Sequence, residues 1–190
     1  MYNLRFSGIP ERFKESSFET YIAETKEQKK AKDICFKYAE NFEKFCEKGT
    51  SMILYGTPGT GKTHTSVSIV RYAIEKKKKT AKFFNVIDAI SRIKATWNKD
   101  SEETEQQAID YLIKPDLLVL DKFGMSFGSD TERFLLDRII NKRYENIKPT
   151  ILITNLNWEN LKTLLGERVI DRMLDSKGLK VLFNWHSHRG

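Results

Sequence analysis

The stretch Gly56–Thr63 constrains the fold of this chain more than any other feature. It reads GTPGTGKT and fits the pattern G-x-x-x-x-G-K-[ST] at every position. An apolar run at 52–55 precedes it and a helical pattern at about 62–76 follows, which is the strand–loop–helix context that the pattern requires. Glycines let backbone N–H groups close around phosphate oxygens, and the amino end of the following helix attracts anions.

This loop is therefore predicted to bind ATP. The Lys62 ammonium is expected to reach the β- and γ-phosphates, and the Thr63 hydroxyl is expected to bind Mg²⁺. The predicted nucleotide-binding residues of the loop are Gly56, Thr57, Pro58, Gly59, Thr60, Gly61, Lys62, Thr63 and His64.

The rest of the chain alternates short apolar runs with helical patterns. Strands are expected at 52–55, 83–86, 117–120, 150–154 and 179–183. Helices are expected at about 26–47, 62–76, 87–98, 130–146, 157–163 and 166–174, with a further one ending near 113. Strands that are apolar throughout and alternate with helices indicate a parallel sheet covered on both faces. The predicted fold class is therefore α/β, a three-layer P-loop domain with about five parallel strands.

Residues 1–24 are predicted to form an extended arm, and residues 25–190 the domain itself. Five apolar side chains are expected to pack the arm on the core: Phe6, Ile9, Phe13, Phe18 and Tyr21. Thr25 and Gln28 have the spacing of a capping box at the start of the first long helix.

Asp121 directly follows the apolar run 117–120, so its carboxylate is expected at the carboxyl edge of the sheet, where it can hold Mg²⁺. The next residue is Lys122, where ATPases of this kind usually carry the carboxylate that polarises the attacking water. Losing a general base costs about 10²–10⁴ in rate. Three interpretations stay open: a natural loss of hydrolysis, an engineered substitution, and a base supplied from elsewhere.

A polar residue also follows the run 150–154. Asn155 is the candidate to contact the γ-phosphate or the attacking water, and Thr154 is the second choice. The alternative is that Asn155 only forms a turn.

Several stretches taken together resemble the DnaC-type bacterial helicase loaders of the AAA+ superfamily and the related IstB-like transposition helper ATPases. Ser7–Ile9 and Ser17–Tyr21 are similar to the start of that ATPase domain, and Asp121–Gly124 stands where the family has Asp-Glu-hydrophobic-Gly. The most specific stretches are Leu164–Met173 and Val181–Trp185. The resemblance implies an AAA+ domain with a five-stranded parallel sheet.

The resemblance also implies roles for single residues. Arg172 matches the arginine finger that acts in trans on a neighbouring subunit's ATP, with Arg168 as the alternative. Asn155 matches sensor 1, and Arg189 lies where a sensor 2 arginine is expected. The structural alternative for Arg168 and Arg172 is pairing with Glu167 and Asp171 on one helix.

The expected partners are a replicative helicase, single-stranded DNA and further copies of the chain when ATP is bound. The net charge of +7 favours a polyanionic partner. Family members bind single strands through helices after the second strand. In the matching region, the candidates are Arg92, Lys94, Trp97 and Lys99. The alternative is a solvated helix with Trp97 packed inward.

Four function classes remain at this point. They are an ATP-dependent helicase loader, an IstB-type transposition helper, a regulator that binds ATP without hydrolysing it, and a small-molecule P-loop kinase. The last is disfavoured by Lys122 and by the lack of an arginine-rich lid. Because residue 1 lies almost at the ATPase core, the loaders' separate N-terminal docking domain is expected to be absent. Two interpretations stay open: a minimal loader-like protein, or an isolated domain of a longer one.

The expected location is the cytoplasm, with no membrane contact. The chain has no run of 18 apolar residues and no apolar segment of a secretory signal. Its two cysteines, Cys35 and Cys46, are interpreted as reduced thiols.

Overall fold

Five parallel strands form one sheet in the computed structural model, which describes residues 4–124 and 129–187. The strands are β1 (Met52–Gly56), β2 (Ala81–Asn85), β3 (Leu117–Phe123), β4 (Thr150–Thr154) and β5 (Leu179–Phe183). Their spatial order is β2-β3-β4-β1-β5, and every neighbouring pair is parallel. The carboxyl ends of all five strands therefore meet at one edge of the sheet.

Helices cover both faces of this sheet. They are α1 (Lys26–Glu40), α2 (Phe42–Glu47), α3 (Lys62–Glu75), α4 (Val86–Ala95), α5 (Glu105–Ile113), α6 (Asp130–Glu145), α7 (Trp158–Leu165) and α8 (Glu167–Leu174). Side chains of α1, α2 and α3 pack in one buried cluster, and those of α4 to α8 pack in a second one. The predicted three-layer α/β class is confirmed.

The predicted single helix over 26–47 is wrong, because the helix is interrupted at Asn41. Asn41 has a φ of −101° and a ψ of 24°, outside the helical range, so α1 ends at Glu40 and α2 begins at Phe42. Tyr38 and Phe42, on either side of the break, are both fully buried, and their ring centroids lie 6.0 Å apart. The capping box of Thr25 and Gln28 is present at the start of α1.

The arm follows the molecular surface in short turns rather than as one extended segment. Leu4–Phe6 and Glu11–Phe13 form 3₁₀ turns. Phe18 and Tyr21 are buried, but Phe6 is 70% exposed, so the prediction that Phe6 packs on the core is wrong. The Phe83 N–H donates to the Ser7 carbonyl at 2.7 Å, which ties the arm to the outer edge of β2.

Three helix and strand boundaries near the predicted sites also differ from the predicted boundaries. Val86 begins α4 instead of ending β2, and α4 ends at Ala95, so Trp97 and Lys99 lie beyond the helix. β3 extends through Asp121 to Phe123, because a bulge lets the strand continue pairing with β4 past Leu120. Among the described residues, no helix is long and apolar enough to cross a membrane.

Candidate functional site

The loop between β1 and α3 lies at the carboxyl edge of the sheet. Gly61 has a φ of 95°, and a Cβ added there would come within 2.3 Å of the Tyr21 ring, so glycine is required on both grounds. The Lys62 ammonium donates to the carbonyls of Gly56 and Thr57 at 2.9 and 2.6 Å. Lys62 is therefore buried against its own loop at the start of α3.

Asp121 contacts the start of α3 across the sheet edge. Its Oδ2 accepts a 2.9 Å hydrogen bond from the Thr63 hydroxyl, and its Oδ1 accepts from the Lys122 N–H at 2.7 Å. Burial raises the pKa of this carboxyl, and the two hydrogen bonds oppose that rise. A carboxylate beside a hydroxyl is an oxygen-only donor set, which fits the preference of Mg²⁺.

Lys122 occupies the bulge of β3 in a left-handed conformation, with a φ of 62°. A positive φ is uncommon for a residue with a side chain. Bulges re-aim side chains next to active sites, and here Lys122 lines the same cavity as Asp121. A cation thus stands in the pocket where a carboxylate was expected.

The two candidates at the end of β4 lie in different surroundings. Asn155 lines the cavity, together with Ile153. The buried Thr154 hydroxyl donates to the Phe123 carbonyl at 2.8 Å and accepts from the Leu156 N–H at 3.0 Å. Thr154 therefore ties β4 to the end of β3, and Asn155 is the one of the two placed to meet a ligand.

These groups surround one cavity of about 510 Å³. Its lining residues are Arg12, Phe13, Pro58, Gly59, Gly61, Lys62, Thr63, His64, Asp121, Lys122, Ile153 and Asn155. Gly56, Thr57 and Thr60 instead shape the loop: the Thr60 hydroxyl donates to the Thr57 carbonyl at 2.8 Å. Arg12 and Phe13 reach the cavity from the arm, and no motif in the sequence indicated them.

Two residues distant in sequence, one in the arm and one after β5, contact the P-loop at Thr60. The Tyr21 hydroxyl and the Trp185 indole N–H each donate to the Thr60 carbonyl at 3.1 Å. His64 fixes the arm as well, since its Nε2 lies 2.9 Å from the Ser17 carbonyl and 3.2 Å from the Thr20 hydroxyl. These long-range contacts pre-organise the loop but leave no local sequence signal.

Arg172 and Arg168 lie on α8, outside the cavity. Arg172 donates to the Asn141 side chain and lies over the Tyr144 ring, while Arg168 pairs with Asp137. Their partners are thus on α6, and the suggested pairing with Glu167 and Asp171 is not what the structure shows. Arg189 lies outside the described residues.

Three of the candidate DNA-binding residues form ion pairs or hydrogen bonds with glutamates. Arg92 pairs with Glu103 at 2.6 Å, Lys94 with Glu132 at 2.8 Å, and the Trp97 indole N–H donates to Glu105 at 2.7 Å. Trp97 is 52% exposed, so the alternative of inward packing is wrong. Two of the cations nevertheless carry acidic partners.

The parallel sheet with the order β2-β3-β4-β1-β5, the P-loop after β1 and an aspartate near the end of β3 define a nucleotide-binding domain of the AAA+ P-loop class. Comparison with known proteins identifies the family within this class. The profile of the family described as IstB-like ATP binding protein matches residues 3–181. The chain belongs to this family.

Individual relatives agree with that assignment. The replicative helicase loader DnaC of Buchnera aphidicola subsp. Baizongia pistaciae is 38% identical over 96% of this chain and 73% of its own length. The loader of the same name from Escherichia coli K12 is 36% identical with the same coverage. A crystal structure of the DnaC helicase loader superposes with a TM-score of 0.81 at 28% identity, covering 92% of this chain and 99% of that one.

Proposed function

We propose that this chain is an ATP-dependent loader of a replicative helicase. The observation that carries the proposal is a complete P-loop cavity within a chain that is similar, over nearly its whole length, to proteins named replicative helicase loaders. A loader of this kind acts in the cytoplasm. We also propose that residues 1–24 serve as an arm of the ATPase domain that residues 25–190 form.

In this proposal Lys62 neutralises the ATP phosphates after leaving the carbonyls of Gly56 and Thr57. Thr63 and Asp121 would hold Mg²⁺, which supplies positive charge to the phosphate oxygens. Asn155 would contact the γ-phosphate or the water. The hydrogen bond between Thr63 and Asp121 already brings the two oxygen ligands together.

Slow turnover is the expected consequence of Lys122. An ammonium accepts no proton at neutral pH, so the cavity lacks the base that the family's pattern supplies at this position. We therefore propose that the chain keeps its ATP for long periods. The regulator that holds ATP without hydrolysis is the second candidate function, and the position of Lys122 in the cavity is what favours it.

We propose that the ATP-dependent association of copies of this chain depends on Arg172. The residue lies on α8, away from the cavity of its own chain, so it would act on the ATP of a neighbouring copy. Arg168 is the alternative. Arg189 remains the predicted sensor 2 residue.

Single-stranded DNA is a proposed partner, with Arg92, Lys94, Trp97 and Lys99 as its candidate site. The exposed Trp97 ring offers a surface on which a base can stack. Replacing Lys94 and Trp97 with Ala should weaken binding of a labelled single-stranded oligonucleotide in an anisotropy titration at low salt. Unchanged affinity would remove the single-strand site from this region.

The transposition helper is the remaining candidate, because the family description names IstB-like proteins. Pull-down experiments with ATP, using a replicative helicase in one arm and an IS21-type transposase in the other, separate the two. Retention of the helicase alone supports loading. Retention of the transposase alone replaces the proposal with transposition.

A further inference from the structure

The loops at the amino edge of the sheet carry a row of lysines. This edge is opposite the P-loop, and neighbouring strands lie roughly 4.8 Å apart where they begin. We call the part of the row on the three adjacent loops before β2, β3 and β4 the lysine edge. It consists of Lys76, Lys77, Lys78, Lys79, Lys114 and Lys148.

Three carboxylates around the lysine edge are paired with its own lysines. Glu43 binds Lys77 at 2.8 Å, Asp110 binds Lys114 at 2.9 Å, and Asp116 binds Lys148 at 2.7 Å. Glu75 pairs with Arg71 at 3.4 Å. Within the described part of the chain, Lys76, Lys78 and Lys79 form no ion pair. The lysine edge therefore presents a local surplus of positive charge.

Asp116 fixes the positions of the three loops relative to one another. One of its oxygens accepts from the Thr80 N–H and hydroxyl at 3.0 and 2.9 Å, while the other accepts from Lys148. The carboxylate thus connects the loops before β2, β3 and β4. Its pKa lies below the usual range, because the hydrogen bonds and the nearby Lys148 charge outweigh burial.

Arg143 reinforces the same loops from inside. It is fully buried on α6 and donates to the carbonyls of Ile113, Pro115 and Pro149 at 2.6–2.9 Å. Burial without a carboxylate partner lowers the pKa of its guanidinium to about 9. The lysine edge is therefore built on a rigid base, which reduces the ordering needed on binding a ligand.

We propose that the lysine edge docks the phosphate backbone of duplex DNA. The loops 76–80, 114–116 and 147–149 contain no aromatic residue, so they have no ring on which an unpaired base could stack. A duplex needs only cations spaced along its backbone, without access to its bases. This goes beyond the function proposed above, which concerns ATP, a helicase and single strands.

The duplex surface and the nucleotide cavity are separate. Helix α3 begins at Lys62 in the cavity, and Lys76 directly follows its end. Its 14 residues span about 21 Å, so ATP and duplex DNA do not compete for space.

The test is the salt dependence of binding to a labelled duplex of arbitrary sequence, measured by fluorescence anisotropy with the full chain. The variant replaces Lys76, Lys78 and Lys79 with Gln. The matched control replaces Lys26, Lys29 and Lys30 with Gln, which are exposed residues at the start of α1 and remove the same charge. Thermal melting and ATP titration verify that both variants fold.

The lysine-edge variant should bind the duplex at least about tenfold more weakly at low salt, and its slope of log K against log salt should fall by about 2–3. The control should retain the wild-type slope. Equal losses in both variants would overturn the proposal, because only total charge would matter. Unchanged duplex binding, or a loss confined to single strands, would overturn it too. A helicase pull-down with the lysine-edge variant tests the proposed loading function independently of duplex binding.

Discussion

The two edges of the sheet use positive charge in different ways. At the carboxyl edge, Lys62 is buried and held by the carbonyls of Gly56 and Thr57. At the amino edge, Lys76 and Lys78 are exposed on loops that Asp116 and Arg143 fix from below. A buried ammonium beside glycines suits one compact ligand, whereas a row of exposed ammonium groups suits an extended polyanion.

This difference shows that a lysine or arginine in the sequence indicates a binding surface only if no carboxylate of the folded chain pairs with it. Arg92 and Lys94 were natural candidates for an open cationic groove, but each has a carboxylate partner from another segment. Three lysines of the 76–79 run keep no such partner among the residues described. The following experiments test this contrast, from the largest expected effect to the smallest.

Lys62→Ala should abolish ATP binding, because it removes the only ammonium that the loop itself supplies to the phosphates. A titration with a fluorescent ATP analogue measures the loss. Lys76→Ala, at the opposite edge, is the control and should bind ATP normally. Equal affinities for wild type and Lys62→Ala would refute the assigned roles of the carboxyl edge.

Lys122→Glu should raise the rate of ATP hydrolysis by at least about 10²-fold, since it restores a carboxylate next to Asp121. Phosphate release under saturating ATP is the readout. Lys122→Gln, which removes the charge without adding a base, should stay slow. If wild type already matches the Glu variant, the base comes from another residue.

Arg172→Ala should lose ATP-dependent assembly, by about tenfold or more in the concentration required, while single subunits keep their ATP affinity. Light scattering with and without ATP, in the presence of DNA or helicase, monitors assembly. Arg168→Ala is the paired variant. Normal assembly of Arg172→Ala would transfer the role to Arg168, and unfolding would make Arg172 structural through Asn141.

Asp121→Asn should stabilise the nucleotide-free chain while weakening Mg²⁺-dependent ATP binding. Burial raises the pKa of Asp121, so ionising it costs stability as pH rises from the ordinary aspartate range through the raised value. The amide removes that cost at neutral pH. Each kcal/mol relieved raises the melting temperature by about 2–4 °C in a domain of this size. A lower melting temperature for Asp121→Asn would contradict this account.

The predictable parts of the structure are those encoded over short stretches. Gly56–Thr63 specifies its own loop, and the apolar runs specify five parallel strands. The break at Asn41 and the bulge at Lys122 were missed, because each depends on how the neighbouring segments pack. The contacts of Tyr21 and Trp185 with Thr60 join residues up to 125 positions apart, so no local pattern predicts them.

The central claim is that ATP in this cavity controls engagement of a replicative helicase. Size-exclusion chromatography of the chain with the helicase, with and without ATP, tests it most directly, using Lys62→Ala as the matched variant. The account predicts co-elution that requires ATP and is lost in Lys62→Ala. Co-elution that is the same without ATP, or that survives in Lys62→Ala, would contradict it.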